Sequence, residues 1–167
     1  ISSCHSATFD TISPDGTLKV GVVTTKDGDY GKAAFVVHYK GDSILFRSEL
    51  GLETDAQKFA GNLRLKSVSE PKSVIDDYRM ITGKRSHCVN EASERVYSLE
   101  NNEGQTLEVT FRVYNDGIAF KYGLKAISDE EHIINEYTAY ALPQGSKRWI
   151  QQYDCLLYTS PSPRDGA

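Results

Sequence analysis

Long apolar runs are missing from this chain, and so is any excess of positive charge. No stretch approaches the ~18 consecutive apolar residues of a membrane helix, so a helical span is excluded within it. Lysine and arginine number 19 against 23 aspartates and glutamates, for a net charge of −4. A chain without a basic patch is a poor nucleic-acid ligand, and we expect no such partner. Cysteine is scarce: Cys4, Cys88 and Cys155 form no Cys-x-x-Cys, which removes thiolate zinc sites and redox dithiols. The histidines, His5, His38, His87 and His132, make no H-E-x-x-H and no pair at ligand spacing. There is no G-x-S-x-G, and Gly145-Ser146-Lys147 lacks the flanks of a nucleophile elbow. Helical periodicity over three turns is also lacking. At 167 residues, 39% of them hydrophobic, the chain is still long enough for one domain with a real core.

What is abundant is alternation with a period of two. In residues 106–124, Leu107, Val109, Phe111 and Val113 alternate with Glu108, Thr110, Arg112 and Tyr114. Ile118, Phe120, Tyr122 and Leu124 then alternate with Ala119, Lys121 and Gly123. Both are half-buried strands. Asp116-Gly117 between them is a strong signal for a type I′ hairpin, which needs positive φ at both central residues. That loop predicts Asn115 opposite Ile118, Val113 opposite Phe120, Phe111 opposite Tyr122 and Val109 opposite Leu124. It also sets Arg112 and Lys121 against each other outside, where a carboxylate or solvent would separate them. On this reading Gly117→Val disrupts folding.

The other elements follow in chain order. Ser13-Pro14-Asp15-Gly16 is a turn that opens a strand from Leu18 to Val23. Asp27-Gly28-Asp29 marks the next turn, and Ala33 to Tyr39, apolar on both sides, is a strand covered on both faces. Lys40-Gly41-Asp42 turns into Ile44-Leu45-Phe46, and Leu50-Gly51-Leu52 continues the path. In the more polar stretch 53–85, Leu63, Leu65, Val68, Val74 and Tyr78 are the candidate core residues. Cys88 to Leu99 pairs with Leu107 to Val113 through the turn Asn101 to Gly104. Ser128 to His132 is expected to make one helical turn, and Asn135 to Leu142 a final strand stopped by Pro143. Short strands with Gly and Asx turns and little helix read as an all-β antiparallel sandwich.

Both ends differ from the middle. The chain starts at Ile1 and its sole methionine is Met80, so we expect the natural start upstream. Ile1-Ser2-Ser3-Cys4 fits the end of a bacterial lipoprotein signal, in which Cys4 would be acylated; residues 1–11 are read as a leader remnant. With Cys4 in that position no disulfide to Cys88 is expected. After Asp154 the sequence CLLYTSPSPRDGA has no periodicity, and residues 155–167 are read as a non-native, adapter-like tail.

The segments SPDGTLKV (13–20), YKGDSIL (39–45), LGL (50–52), GKR with NE downstream (83–91), FRVYNDGIAFKY (111–122) and LPQGSKRWIQQYD (142–154) occur in a telling order. Together they resemble the N-terminal domain of glycoside hydrolase family 97, over residues 13 to 154. The resemblance implies a β-super-sandwich of galactose-mutarotase-like type for residues 12–154, incomplete at its C-terminal end. It implies that the domain packs on the (β/α)8 barrel of its own chain, which carries the catalytic carboxylates. The activity implied is exo-hydrolysis of α-linked oligosaccharides, as an α-glucosidase or α-galactosidase. Calcium is the implied cofactor of the full-length enzyme, with one glutamate ligand just beyond Asp154, so no metal ligand is assigned here. Trp149, Gln151, Gln152 and Tyr153 are the residues nearest the implied cleft and are read as substrate-side or as rim packing against the barrel. The implied location is the periplasm or the cell envelope, with a membrane reached only through a lipid on Cys4.

Glycoside hydrolysis runs on two carboxylates held roughly 5 to 9.5 Å apart. Asp76, Asp77, Glu130, Glu131 and Glu136 are the ones to nominate, but the barrel is their natural home in such enzymes, and we assign no catalytic residue to this chain. The other reading is a stand-alone carbohydrate-binding or surface-interaction sandwich. Such a binder should display an exposed aromatic row, whereas Phe35, Phe111, Phe120 and Tyr122 all occupy inward positions of the alternation.

Overall fold

The computed structural model describes residues 9–25, 30–81 and 86–149. The Asp27-Gly28-Asp29 turn, Cys4, Gln151, Gln152, Tyr153 and the tail lie outside the described residues. Every described element is a strand, and every strand pair is antiparallel. The first sheet runs β1 (Thr11–Ile12), β2 (Leu18–Thr24), β3 (Ala33–Tyr39) and β4 (Asp42–Leu50) in that spatial order. The second is built from β7 (Leu63–Val68), β8 (Lys72–Arg79), β9 (His87–Asn101), β10 (Thr106–Tyr114) and β11 (Ile118–Leu124), in the order β11-β10-β9-β7. In it β8 joins the same side of the long β9 that β7 uses, nearer the start of that strand. A small third sheet pairs β5 (Leu52–Thr54) with β6 (Lys58–Phe59) and β12 (Ile133–Glu136).

The first two sheets close on one core, as the alternation requires. Leu107, Val109, Phe111 and Val113 of β10 are fully buried, while Glu108, Thr110, Arg112 and Tyr114 between them are not. From the facing sheet Phe35 meets Phe111 at 5.5 Å and Phe120 at 5.6 Å between ring centroids, and Val20, Val22 and Val37 fill in around them. Strand β3 has the predicted bounds and is buried on both sides from Ala33 to Val37, as a central strand should be. Tyr97 crosses Phe111 edge-on at 5.8 Å and bonds Thr11 Oγ1 through its hydroxyl, so its polar end is satisfied inside the core.

Five expectations need correction. In the central hairpin Val113 pairs with Ile118, Phe111 with Phe120, Val109 with Tyr122 and Leu107 with Leu124. The loop is therefore Asn115-Asp116, closed by the bond from Tyr114 N to Gly117 O at 2.8 Å. The two registers differ by a full period, so the same side chains face the core in both, and alternation cannot tell them apart. The observed one also relieves the charge conflict: Arg112 lies opposite Ala119 and Lys121 opposite Thr110. Second, Leu65 is 37% exposed although it pairs with the buried Leu99, because it sits on the edge strand β7, and Tyr78 is 46% exposed because it shares the outer face of β8 with Asp76; Leu63 is fully buried and Val68 packs on the core edge. Third, Ser128 to His132 makes a single hydrogen-bonded turn, Glu131 N to Ser128 O at 3.3 Å, and no helix. Fourth, the last strand is shorter than read, β12 ending at Glu136. Residues 137–141 stay extended beside β4 and donate singly, Tyr137 N to Gly51 O at 2.9 Å and Ala139 N to Glu49 O at 3.0 Å.

The fifth correction concerns glycine. Gly117 does not have positive φ and nothing lies within 4 Å of where its Cβ would stand. The type I′ geometry occurs instead at Lys40 (φ 51°) and Gly41 (φ 98°), between paired Tyr39 and Asp42. Gly41→Val should therefore lower stability by about 1–3 kcal/mol, whereas Gly117→Val should stay within about 0.5 kcal/mol. Urea unfolding of the two variants checks the assignment, and a larger loss at Gly117 would reverse it.

Candidate functional site

The residues nominated from sequence do not converge. Trp149 ends the described chain and is 89% exposed. The path to it runs along β4, with Phe46 N donating to Ala141 O at 2.8 Å and Ala141 N to Ser48 Oγ at 3.0 Å. Beyond Pro143 a turn closes with Ser146 N on Pro143 O at 3.2 Å. Along this path Phe46, Tyr140, Leu142 and Trp149 are each exposed.

Three of the nominated carboxylates, Asp76, Asp77 and Glu131, are occupied locally. Asp76 accepts from Arg112 Nη1 at 3.1 Å and from the Tyr114 hydroxyl at 2.6 Å, while Arg112 Nε donates to Glu94 at 2.6 Å. The bond to Glu94 above all makes the Arg112 guanidinium hold its proton more tightly than usual, and Asp76 raises the Tyr114 phenol. Asp77 pairs with His87 Nε2 at 2.7 Å on exposed strand ends. Glu131 accepts from Thr54 Oγ1 at 2.5 Å, Gln57 Nε2 at 2.8 Å and Ile127 N at 2.6 Å. The Thr54 bond leads in holding it below the ordinary glutamate range. That makes it a clamp tying the segment after β11 to the third sheet. Glu130 and Glu136 point to solvent. Elsewhere, Glu100 is held down first by Lys66 and then by Arg64, and Glu53 first by the Tyr137 hydroxyl and then by Lys58. A carboxylate kept ionised by such partners is a poor general acid, which must carry a proton near neutral pH.

Two hollows stand out on the described surface. The smaller, about 250 Å³, lies over Thr110, Arg112, Tyr114 and Lys121 and has no carboxylate in its lining. The larger, about 530 Å³, lies at the turn end of the sandwich and has a single one, Asp116. Neither hollow therefore brings two carboxylates together. Among the described residues no three His, Cys, Asp or Glu side chains group so as to hold a metal ion, so they do not by themselves fit calcium. The carboxylate expected beside Arg112 is present twice, as Glu94 and Asp76, but sequence reading missed which residues supply it and that Tyr114 joins them. The one signal was an arginine and a tyrosine on the outer positions of β10.

The architecture is that of an antiparallel β-sandwich domain in which Asp76, Glu94, Glu100 and Glu131 are bound by structural partners. A family model described as Glycosyl-hydrolase 97 N-terminal matches residues 12–162, and the chain belongs to that family. The match continues past Asp154 into the stretch read above as a tail. A probable retaining alpha-galactosidase of Streptomyces bingchenggensis (strain BCW-1) is 28% identical over 127 residues, 76% of this chain and 20% of that protein. The crystal structure of a beta-arabinopyranosidase superposes with a TM-score of 0.72 at 30% identity, over 80% of this chain and 21% of the other. A glycoside hydrolase family 97 enzyme from Pseudoalteromonas sp. strain K8, solved in complex with panose, gives 0.68 at 21% identity over 80% and 20%. The chain thus spans about a fifth of the length of the proteins it matches.

Proposed function

We propose that this domain is the non-catalytic N-terminal part of an exo-acting α-glycosidase. The observation that carries this is the family match over residues 12–162 of a chain in which neither hollow pairs two carboxylates. The acid and its partner carboxylate would then come from a barrel following in the same protein, on which the exposed Phe46, Tyr140, Leu142 and Trp149 would rest. Calcium, if bound in the whole enzyme, would polarise the sugar and its leaving group. Its ligands would come from outside the described residues. Gln151, Gln152 and Tyr153 would follow Trp149 into that junction. The protein would be exported, working in the periplasm or anchored by a lipid on Cys4.

A galactose-configured substrate is favoured over a glucose-configured one. The relatives at 28% and 30% identity are named for an alpha-galactosidase and a beta-arabinopyranosidase, against 21% for the panose complex. In the L series a β-arabinopyranose has the ring stereochemistry of an α-D-galactopyranose without its hydroxymethyl group. The test compares this chain with the longer natural protein on p-nitrophenyl α-galactopyranoside, p-nitrophenyl β-L-arabinopyranoside and p-nitrophenyl α-glucopyranoside. The longer protein should release p-nitrophenol from one of the first two, with activity lost to a chelator, and this chain should release none. Hydrolysis by this chain alone would overturn the reading, since the active site would then lie among its own carboxylates.

A further inference from the structure

Three of the motifs that carry the family resemblance meet at one end of the sandwich. The turn at Ser13 to Thr17, the Lys40-Gly41 turn and the Asn115-Asp116 turn are cross-bonded there. Asp15 N donates to Asn115 Oδ1 at 3.0 Å, across a separation of 100 residues, and Lys40 N donates to Thr17 O at 2.9 Å. Asp15 in turn holds its own loop, accepting from Ser13 Oγ at 2.6 Å and from Thr17 N at 3.0 Å, and these bonds keep its carboxyl below the usual aspartate range. A turn cluster tied this way is a preformed rim, with little left to order on binding.

Beside this cluster lies the groove of about 530 Å³ noted above, lined by Asn115 and Asp116 of the third turn and by Tyr39, which precedes the Lys40-Gly41 turn; its size is within the ~300–1,000 Å³ of small-molecule sites. Its floor is apolar, from the buried Leu18 and Val37. Its walls combine two half-exposed apolar side chains, Tyr39 and Ile44, each 40% exposed, with the amide of Asn115 and the carboxylate of Asp116. The Lys40 ammonium sits 5.1 Å from the Tyr39 ring centroid. Asp116 makes no ion pair among the described residues, and Asn115 spends its Oδ1 on Asp15, which leaves its amide nitrogen to donate.

We infer that this groove is a second, non-catalytic site that holds the end of an α-linked oligosaccharide. A pyranose has an apolar C–H face and an edge of hydroxyls, and the groove offers a partner to each. Tyr39 and Ile44 take the C–H face. The Asp116 carboxylate accepts two hydroxyl hydrogens, and the Asn115 amide donates to a ring or hydroxyl oxygen. An uncharged ligand also suits a site with one carboxylate and one nearby ammonium. The inference rests on the glycosidase reading for the sugar class, and on the geometry for the place.

The test is amide chemical-shift mapping on the full chain with melibiose as probe. Binding is expected with a Kd on the order of 1–10 mM, with shifts clustered at residues 39–45 and 115–118. Tyr39→Ala and Asp116→Ala should each weaken it at least about tenfold. Asp116→Ala alters an exposed turn side chain and keeps the fold, which the dispersion of its spectrum verifies. Saturable binding confined to the groove supports the inference. No shifts at the highest soluble melibiose, shifts clustered elsewhere, or unchanged binding in both variants would overturn it. If the groove fails while the longer protein still hydrolyses its substrate, the glycosidase reading stands without it. Groove binding beside an inactive longer protein would keep the site and sink the enzyme.

Discussion

Phe111→Ala lowers the stability of the sandwich by about 3–5 kcal/mol, whereas its neighbour Thr110→Ala changes it by less than about 0.5 kcal/mol. The contrast follows from one step along β10. Phe111 is fully buried between Phe35 at 5.5 Å, Phe120 at 5.3 Å and Tyr97 at 5.8 Å. Removing the ring opens a void lined by three aromatic side chains from both sheets. Those rings are held by strand pairing on each side and cannot all collapse into it, so the cavity cost adds to the lost transfer energy. Thr110 points to the outer side, opposite Lys121 and Val96, where truncation leaves only solvent to fill. Urea unfolding of the two variants decides the matter, and equal losses would refute the face assignment.

Gly51→Ala should cost about 1–3 kcal/mol, the range for overpacking a closed site. Gly51 lies between β4 and β5, where the chain passes from the first sheet to the third. A Cβ there would stand 2.7 Å from the Phe59 carbonyl oxygen and 3.1 Å from Tyr137 Cβ. The nearer atom is backbone and fixed by the pairing of Leu52 with Phe59, so it cannot swing aside as a side chain would. The same residue donates its N–H to the Tyr122 hydroxyl at 3.1 Å and accepts from Tyr137 N at 2.9 Å. Displacing it loosens the hairpin and the last extended segment together. A variant that melts with the parent protein would show that β6 can move away freely.

How far the fold could be read ahead depended on the range of the signal. Ala33 to Tyr39 came out with its bounds because an apolar run closed by a Gly turn needs no distant information. Tyr78 was misjudged because a weakly alternating stretch does not reveal which of its faces another sheet covers, and Leu65 because facing inward does not cover a side chain on an edge strand. The segment after Glu136 lost its strand status because it bonds mostly one way along β4. The carboxylates needed the fold entirely. Asp76 and Glu131 look alike as acidic residues, and only placement beside Arg112 and Tyr114, or Thr54 and Gln57, makes each a structural acceptor.

Local pattern alone was enough to specify the strongly alternating strands, their inward faces and the antiparallel class, because side-chain direction in a strand repeats every two residues. The same repeat is blind to a shift of two, so the register of the central hairpin had to come from outside it. The bond from Asp15 N to Asn115 Oδ1 holds the observed turn from outside the hairpin. Long-range contacts of that kind also brought three turns, distant in the chain, together at one end of the sandwich. No local preference encodes that meeting, since it exists only once both sheets have closed on their common core.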